Sequence, residues 1–166
     1  MIRLEKISSK NVWDLLKLDV SEEQKSFVAA NDVSVIEAYL AVTSGGHAFP
    51  FGIYDGNLPV GFCMIGYGTD DSWEDAPAVA KDSYNIWRLM IDRHEQGKGY
   101  GQAAMAQIIR YFRNRGADRV LLSTVPENEA GLHVFRKFGF AATGEMNEDE
   151  AILSLDLTAE KEDDDA

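Results

Sequence analysis

The chain reads as an α/β protein built on one mixed sheet that is antiparallel in its N-terminal half. Three observations predict this. Apolar runs of strand length recur through the 166 residues, and stretches with helical spacing of apolar residues lie between them. From Tyr84 to Val125 a strand, a glycine-rich turn, a helix and a second strand follow in order. That succession is a βαβ crossover, whose two strands run parallel.

Each element has its own warrant. Ile2 to Ile7 alternates as an edge strand, and Val12, Leu15 and Leu16 then repeat at helical spacing. A second helix covers Val33 to Val42, with Ile36, Tyr39 and Leu40 on one face, and Gly45-Gly46 stops it. His47 to Tyr54 and Leu58 to Tyr67 flank Asp55-Gly56-Asn57, a hairpin turn. Residues 68–82 form an acidic connection containing alanine and proline, and Tyr84 to Ile91 is the next strand. In the helix from Gly101 to Arg115, Met105, Ile108, Ile109 and Phe112 share the face that packs on the sheet, and Gly116 ends it. Arg119 to Val125 is a strand. Asn128 is suited to cap a helix that buries Leu132, Phe135 and Phe138, and strands at Phe140 to Thr143 and Ala151 to Leu157 close the set.

Size and charge narrow the function. Residues 1–157 form one domain, and residues 158–166 read as an acidic, disordered, solubilising tail with one lysine and five acids. The formal net charge of −12 disfavours nucleic acid and anionic membrane surfaces and favours cationic partners. The sequence from Met1 lacks the pattern of a secretory signal, and no uncharged stretch reaches the ~20 residues that span a bilayer, so the expectation is a cytoplasmic protein. Cys63, the only cysteine, sits in Val60-Gly61-Phe62-Cys63-Met64-Ile65 and reads as a buried, inert thiol. His47, His94 and His133 have no metal-ligand spacing, so no metal is expected.

The most informative stretch is Gln96-Gly97-Lys98-Gly99-Tyr100-Gly101, placed between a strand and a helix. Three glycines let backbone approach a phosphate, and the helix that follows offers unpaired N–H groups at the positive end of its dipole. The spacing matches neither the nucleotide-triphosphate loop, with Gly-Lys followed by Ser or Thr, nor the dinucleotide fingerprint. It resembles the Gln/Arg-x-x-Gly-x-Gly/Ala motif of the GNAT (GCN-type) N-acetyltransferases, in which this loop holds the pyrophosphate of acetyl-CoA. A second segment, Asn128 through Gly131, Phe135, Gly139 and Phe140, is similar to the family's other motif. The element order is also the family's, and the resemblance implies that the two parallel strands splay around the cofactor.

Carried over position by position, the resemblance implies that backbone groups of Leu89, Met90 and Ile91 pair with the pantetheine arm and that Gln96, Gly97, Lys98, Gly99, Tyr100 and Gly101 bind the pyrophosphate. It implies further that Asn128 reaches a pantetheine amide, a role compatible with capping, and that Phe135 packs on the cofactor. Lys137 is a weaker phosphate candidate that reads first as a solvated charge. Where the family usually has a tyrosine as general acid this chain has Phe135, which has no proton to give; the acid is unassigned, and an unassisted thiolate with a pKa of about 8.5 is a fair leaving group. The strand before the loop, Ile86-Trp87-Arg88-Leu89-Met90-Ile91, has no carboxylate before Asp92 to deprotonate an amine.

For the acceptor, the acidic connection offers Asp70, Asp71, Glu74, Asp75 and Asp82, either as a solvated loop or as a lip for a cation. Glu74 and Asp75 beside Trp73 are the first catalytic candidates, since an aromatic with carboxylates suits an alkylammonium group. The segment Ser21-Glu22-Glu23-Gln24-Lys25-Ser26-Phe27-Val28-Ala29, together with Trp87 to Asp92 and the loop, looks like the bacterial spermine/spermidine acetyltransferase branch, a similarity that covers most of residues 1–157. Gln24 and Phe27 are candidates for the acceptor pocket. The resemblance implies a small cationic amine as substrate, with aminoglycoside, lysine or peptide amines as alternatives, and a non-catalytic acyl-CoA sensor as the reading from another class. Homodimers are common in the family, but no motif here encodes one.

Overall fold

The computed structural model describes residues 1–71 and 73–158. Beyond Thr158 the acidic tail expected from the sequence lies outside the described residues. In chain order the elements are β1 (Ile2–Lys6), α1 (Val12–Leu15), α2 (Asn31–Thr43), β2 (His47–Asp55), β3 (Leu58–Tyr67), β4 (Tyr84–Ile91), α3 (Tyr100–Arg113), β5 (Arg119–Thr124), α4 (Glu129–Lys137), β6 (Ala141–Asn147) and β7 (Glu150–Asp156), with short 3₁₀ turns at Glu22–Gln24 and Ala78–Ala80. The strands form one sheet in the order β1-β2-β3-β4-β5-β7-β6. Every neighbouring pair is antiparallel except β4 and β5.

Alternation along the strands divides the core. Cys63, Ile65, Ile86, Val120, Leu122, Leu153 and Leu155 face α3, whose Met105, Ile108, Ile109 and Phe112 are buried against them as their spacing predicts. Phe112 is fully buried and meets Tyr84 with ring centroids 5.2 Å apart. The opposite face carries Phe62, Met64 and Met90 under α2. A smaller cluster, Ala80, Leu121 and Ile152, is covered by Trp73.

Two helices depart from their sequence patterns. In α2 the predicted stripe of Ile36, Tyr39 and Leu40 points outward, each more than half exposed, while Asn31, Ser34, Ala38 and Ala41 are buried. The bulky Phe62 and Met64 on the sheet leave room only for small side chains, so the small-residue stripe decides the helix's orientation. In α4 no residue is fully buried; Leu132, Phe135 and Phe138 pack against the core only partly, because one side of the helix borders an open cleft. The expected strand at Phe140 is shifted as well: Phe140 is buried in the turn before β6.

One departure from regular pairing shapes the site. On β3 and β4, Met64 pairs with Arg88 and Ile65 with Ile86, so Trp87 is an extra residue on β4. This β-bulge turns both Trp87 and Arg88 toward the α2 side, where Trp87 packs with the Phe62 cluster and Arg88 reaches Glu37 of α2.

Candidate active site

Strands β4 and β5 pair over only three positions, Tyr84 with Val120, Asn85 with Leu121 and Ile86 with Leu122. Beyond that point each strand continues, β4 to Ile91 and β5 to Thr124, without hydrogen bonds between them. The strands therefore fork, and β4 presents an unpaired backbone edge over Trp87 to Ile91. The cleft that opens there has a volume of about 330 Å³. Its walls are β4 from Ile86 to Ile91, β5 from Leu122 to Thr124, the glycine loop, and α4 through Gly131, Val134 and Phe135, with Gln24 and Phe27 at one side.

At the wide end, Gly97 and Gly99 adopt positive φ of 78° and 83°, a region that favours glycine. An ideal Cβ at either position meets nothing within 4 Å, so the demand here is on backbone conformation and on room in the cleft, not on packing inside the protein. Gly99 is the N-cap of α3, whose first N–H groups have no intrahelical acceptor. The loop is pinned by its side chains. Gln96 donates to Ile91 O at 3.0 Å and exchanges hydrogen bonds with Gln24 at 2.8 and 3.2 Å. Lys98 is turned onto Glu95 at 2.8 Å and does not line the cleft. Tyr100 donates to Asp55 at 2.9 Å, tying the start of α3 to the β2–β3 hairpin.

Asn128 is the N-cap foreseen from the sequence: its Oδ1 accepts from Gly131 N at 3.1 Å and its Nδ2 donates to Thr124 at 3.1 Å. A Cβ on Gly131 would lie 2.4 Å from Asn128 Nδ2, which explains a glycine at that position.

Leu89, Met90, Ile91, Gln96, Gly97, Gly99, Tyr100, Gly101, Asn128 and Phe135 thus all reach one cleft, and Gln24 and Phe27 join them. Glu74 and Asp75 do not. Both are exposed and lie outside the cleft lining, because Trp73 beside them turns inward onto Leu121 and Ile152. Asp92 is committed elsewhere: it is buried and accepts from Asp19 N at 2.9 Å and His94 N at 3.1 Å. His94 is a neighbour of that turn and is not part of the cleft wall. Cys63 is fully buried, and burial pushes its thiol up to about 12, which removes it as a nucleophile.

Two polar pairs at the cleft leave no motif in the sequence. Arg88, a cleft residue, donates to Glu37 at 2.8 Å. Ser123, also a cleft residue, donates to Glu150 at 2.9 Å. The one available signal was a charge at Arg88 within the otherwise apolar run from Ile86 to Ile91. Among the described residues no group of three or more His, Cys, Asp or Glu could hold a metal ion, and no helix is long and apolar enough to cross a membrane.

Comparison with known proteins agrees with this fold. Over 153 residues, covering 88% of this chain and 91% of the relative, the sequence is 29% identical to a probable spermine N(1)-acetyltransferase of Bacillus subtilis subsp. natto (strain BEST195). It is 28% identical over the same length to the spermine/spermidine N(1)-acetyltransferase of Bacillus subtilis (strain 168), again covering 88% and 91%. The fold superposes on an aminoglycoside acetyltransferase in complex with coenzyme A, with a TM-score of 0.75, 16% identity and 98% of each chain covered. It also superposes on the Vibrio cholerae spermidine N-acetyltransferase in complex with CoA and spermine, with a TM-score of 0.67, 15% identity and 93% and 94% covered. With residues 12–140 matching the model of the Acetyltransferase (GNAT) family, the chain belongs to that family and is an N-acetyltransferase.

Proposed function

We propose that this enzyme, as one domain over residues 1–157, transfers an acetyl group from acetyl-CoA to a primary amine of a small polycation such as spermidine or spermine, by direct attack in a ternary complex. The observation that carries the cofactor half is the fork between β4 and β5, with the glycine loop at its wide end. In this reading the pyrophosphate sits on the N–H groups of Gly97, Gly99 and Gly101 at the positive end of α3. The pantetheine arm adds to the free edge of β4 at Leu89 to Ile91, with Asn128 and Phe135 against it.

The acceptor half is supported by the two Bacillus relatives named as spermine acetyltransferases, which align over most of the chain, and by the net charge of −12. In this reading the exposed carboxylates of the 68–82 connection, Glu74 and Asp75 among them, steer a polycation toward the cleft by long-range attraction, a rim role and not that of a base. Phe135 favours a second reading, an acyl-CoA sensor without turnover, because its ring cannot protonate a leaving thiolate.

Thiol release from acetyl-CoA, measured against spermidine, spermine, aminoglycosides, free lysine and short peptides, tests both. Saturable turnover with the polyamines alone is the expected result. Coenzyme binding without turnover on any amine would establish the sensor instead.

A further inference from the structure

We propose that the base missing from β4 is supplied across the fork by a relay of Ser123 on β5 and Glu150 on β7. This inference rests on the acetyl-transfer reading above. With the pyrophosphate at the glycine loop and the pantetheine arm running back along β4, the thioester comes to the narrow end of the cleft. The last paired positions there are Ile86 and Leu122, so Ser123 is the first β5 residue beyond the fork and it lines the cleft.

Its face is set by alternation. Leu122 packs with α3 and α4 on one side, whereas Leu121 faces the other side with Ile152, and Ser123 shares the side of Leu121. The first side is filled by the α3 core, and on the second Leu121 and Ile152 are buried with Ala80 under Trp73, but Ser123 beyond them is only half-buried and lines the cleft, so the amine meets the thioester at Ser123. Asn85, opposite Leu121 on that same side and just before the fork, keeps both of its side-chain amide atoms buried without a protein hydrogen bond among the described residues, although it does not itself line the cleft.

Two other carboxylates near the cleft are engaged. Glu37 of α2 is bound by Arg88 at 2.8 Å, and Glu95 is bound by Lys98 at 2.8 Å. Glu150 is half-buried and receives the Ser123 hydroxyl at 2.9 Å, and among the described residues no lysine or arginine forms an ion pair with it. Ser123 donates its proton to Glu150, so the lone pairs of Oγ remain free to accept a hydrogen bond from an ammonium group.

The chemistry balances. One ammonium proton passes to Ser123 Oγ while the Ser123 proton passes to Glu150 Oε2, leaving a neutral amine. The amine's lone pair attacks the thioester carbonyl carbon, and the C–N bond forms. The tetrahedral intermediate then collapses, the C–S bond breaks, and the thiolate takes the second proton from nitrogen to leave as the thiol. Glu150 returns its proton to solvent, so one proton is released for each amide made. Ser123 is the catalytic residue, and Glu150 acts through it.

The test uses the full chain with spermidine, or whichever amine of the panel is turned over, and follows kcat, the pH profile and CoA affinity for wild type, Glu150→Gln, Ser123→Ala and the double variant. Each single change is expected to lower kcat at pH 7 roughly 100-fold, the scale of general-base catalysis, with CoA affinity within about twofold of wild type. Because the two residues act as one unit, the double variant should lose no more than about threefold beyond the worse single variant. The Glu150→Gln rate should rise roughly tenfold per pH unit from 7 to 9, as the amine, with a pKa of about 10, deprotonates on its own. A Glu150→Gln enzyme within threefold of wild type at pH 7, or a loss that stays constant from pH 7 to 9, overturns the relay and leaves acetyl transfer standing. If Glu150→Gln loses CoA binding, Ser123→Ala carries the same comparison, and an unimpaired Ser123→Ala enzyme overturns the relay. Absence of turnover by the wild type on every amine overturns the acetyl-transfer reading and the relay with it.

Discussion

Substitution of Gly99 separates the structural cost of the glycine loop from its role in binding. The residue has φ of 83°, and an added Cβ meets no protein atom within 4 Å. Gly99→Ala therefore costs only the left-handed conformation, about 1–2 kcal/mol. In a chain of this size that lowers the thermal midpoint by roughly 2–8 °C. Gly99→Trp carries the same backbone cost, because the cost arises at Cβ, but its indole stands where the pyrophosphate is proposed to lie. If two charge-assisted hydrogen bonds from backbone N–H are lost, at about 1.5–3 kcal/mol each, CoA affinity falls by at least roughly 100-fold. Gly116, with φ of 71° and open space around its Cβ, lies outside the cleft lining and serves as the control. Gly116→Ala should cost similar stability and leave CoA affinity intact. Thermal unfolding and isothermal titration with CoA on the three variants decide the matter. Unchanged affinity in Gly99→Trp, or an equal loss in Gly116→Ala, refutes the pyrophosphate assignment.

Asn128→Ala removes the cap of α4 and the bond to Thr124; the expected loss is about 1 kcal/mol in urea unfolding, with a drop in CoA affinity beyond what that instability explains. Cys63 should be silent to a thiol reagent in the folded protein at pH 8 and titrate as one thiol per chain in guanidinium, since burial raises it to about 12; rapid native labelling would contradict the packing. Asp55 is held below the usual carboxylate range first by the Tyr100 hydrogen bond, then by the N-terminal amino group, and Tyr100 is raised in turn by its hydrogen bond to Asp55. The Asp55 contribution is thus present above about pH 4 and lost as pH falls through its folded value, while that of Tyr100 is present below about pH 10 and lost as pH rises through its folded value. The stability gap between wild type and Tyr100→Phe, followed by urea midpoints, should be small and level from pH 5 to 9 and should narrow at both extremes. A gap that widens at either end would break the assignment.

Local chemistry alone identified the glycine loop, the Asn128 cap and the order of strands and helices. Positive-φ glycines, helix caps and apolar periodicity act over a few residues, so they leave readable traces in one sequence. The α3 face of Met105, Ile108, Ile109 and Phe112 was legible for the same reason. The outward turn of Ile36, Tyr39 and Leu40 was not, because the choice between two stripes of one helix depends on the bulk of Phe62 and Met64 on strands elsewhere in the chain. Nor could the sequence disclose that Trp73 turns inward and leaves Glu74 and Asp75 outside the cleft. The pairs most relevant to chemistry, Arg88 with Glu37 and Ser123 with Glu150, join residues 51 and 27 positions apart. No period or motif spans those distances; only the bulge at Trp87 and the pairing of β5 with β7 bring the partners within reach.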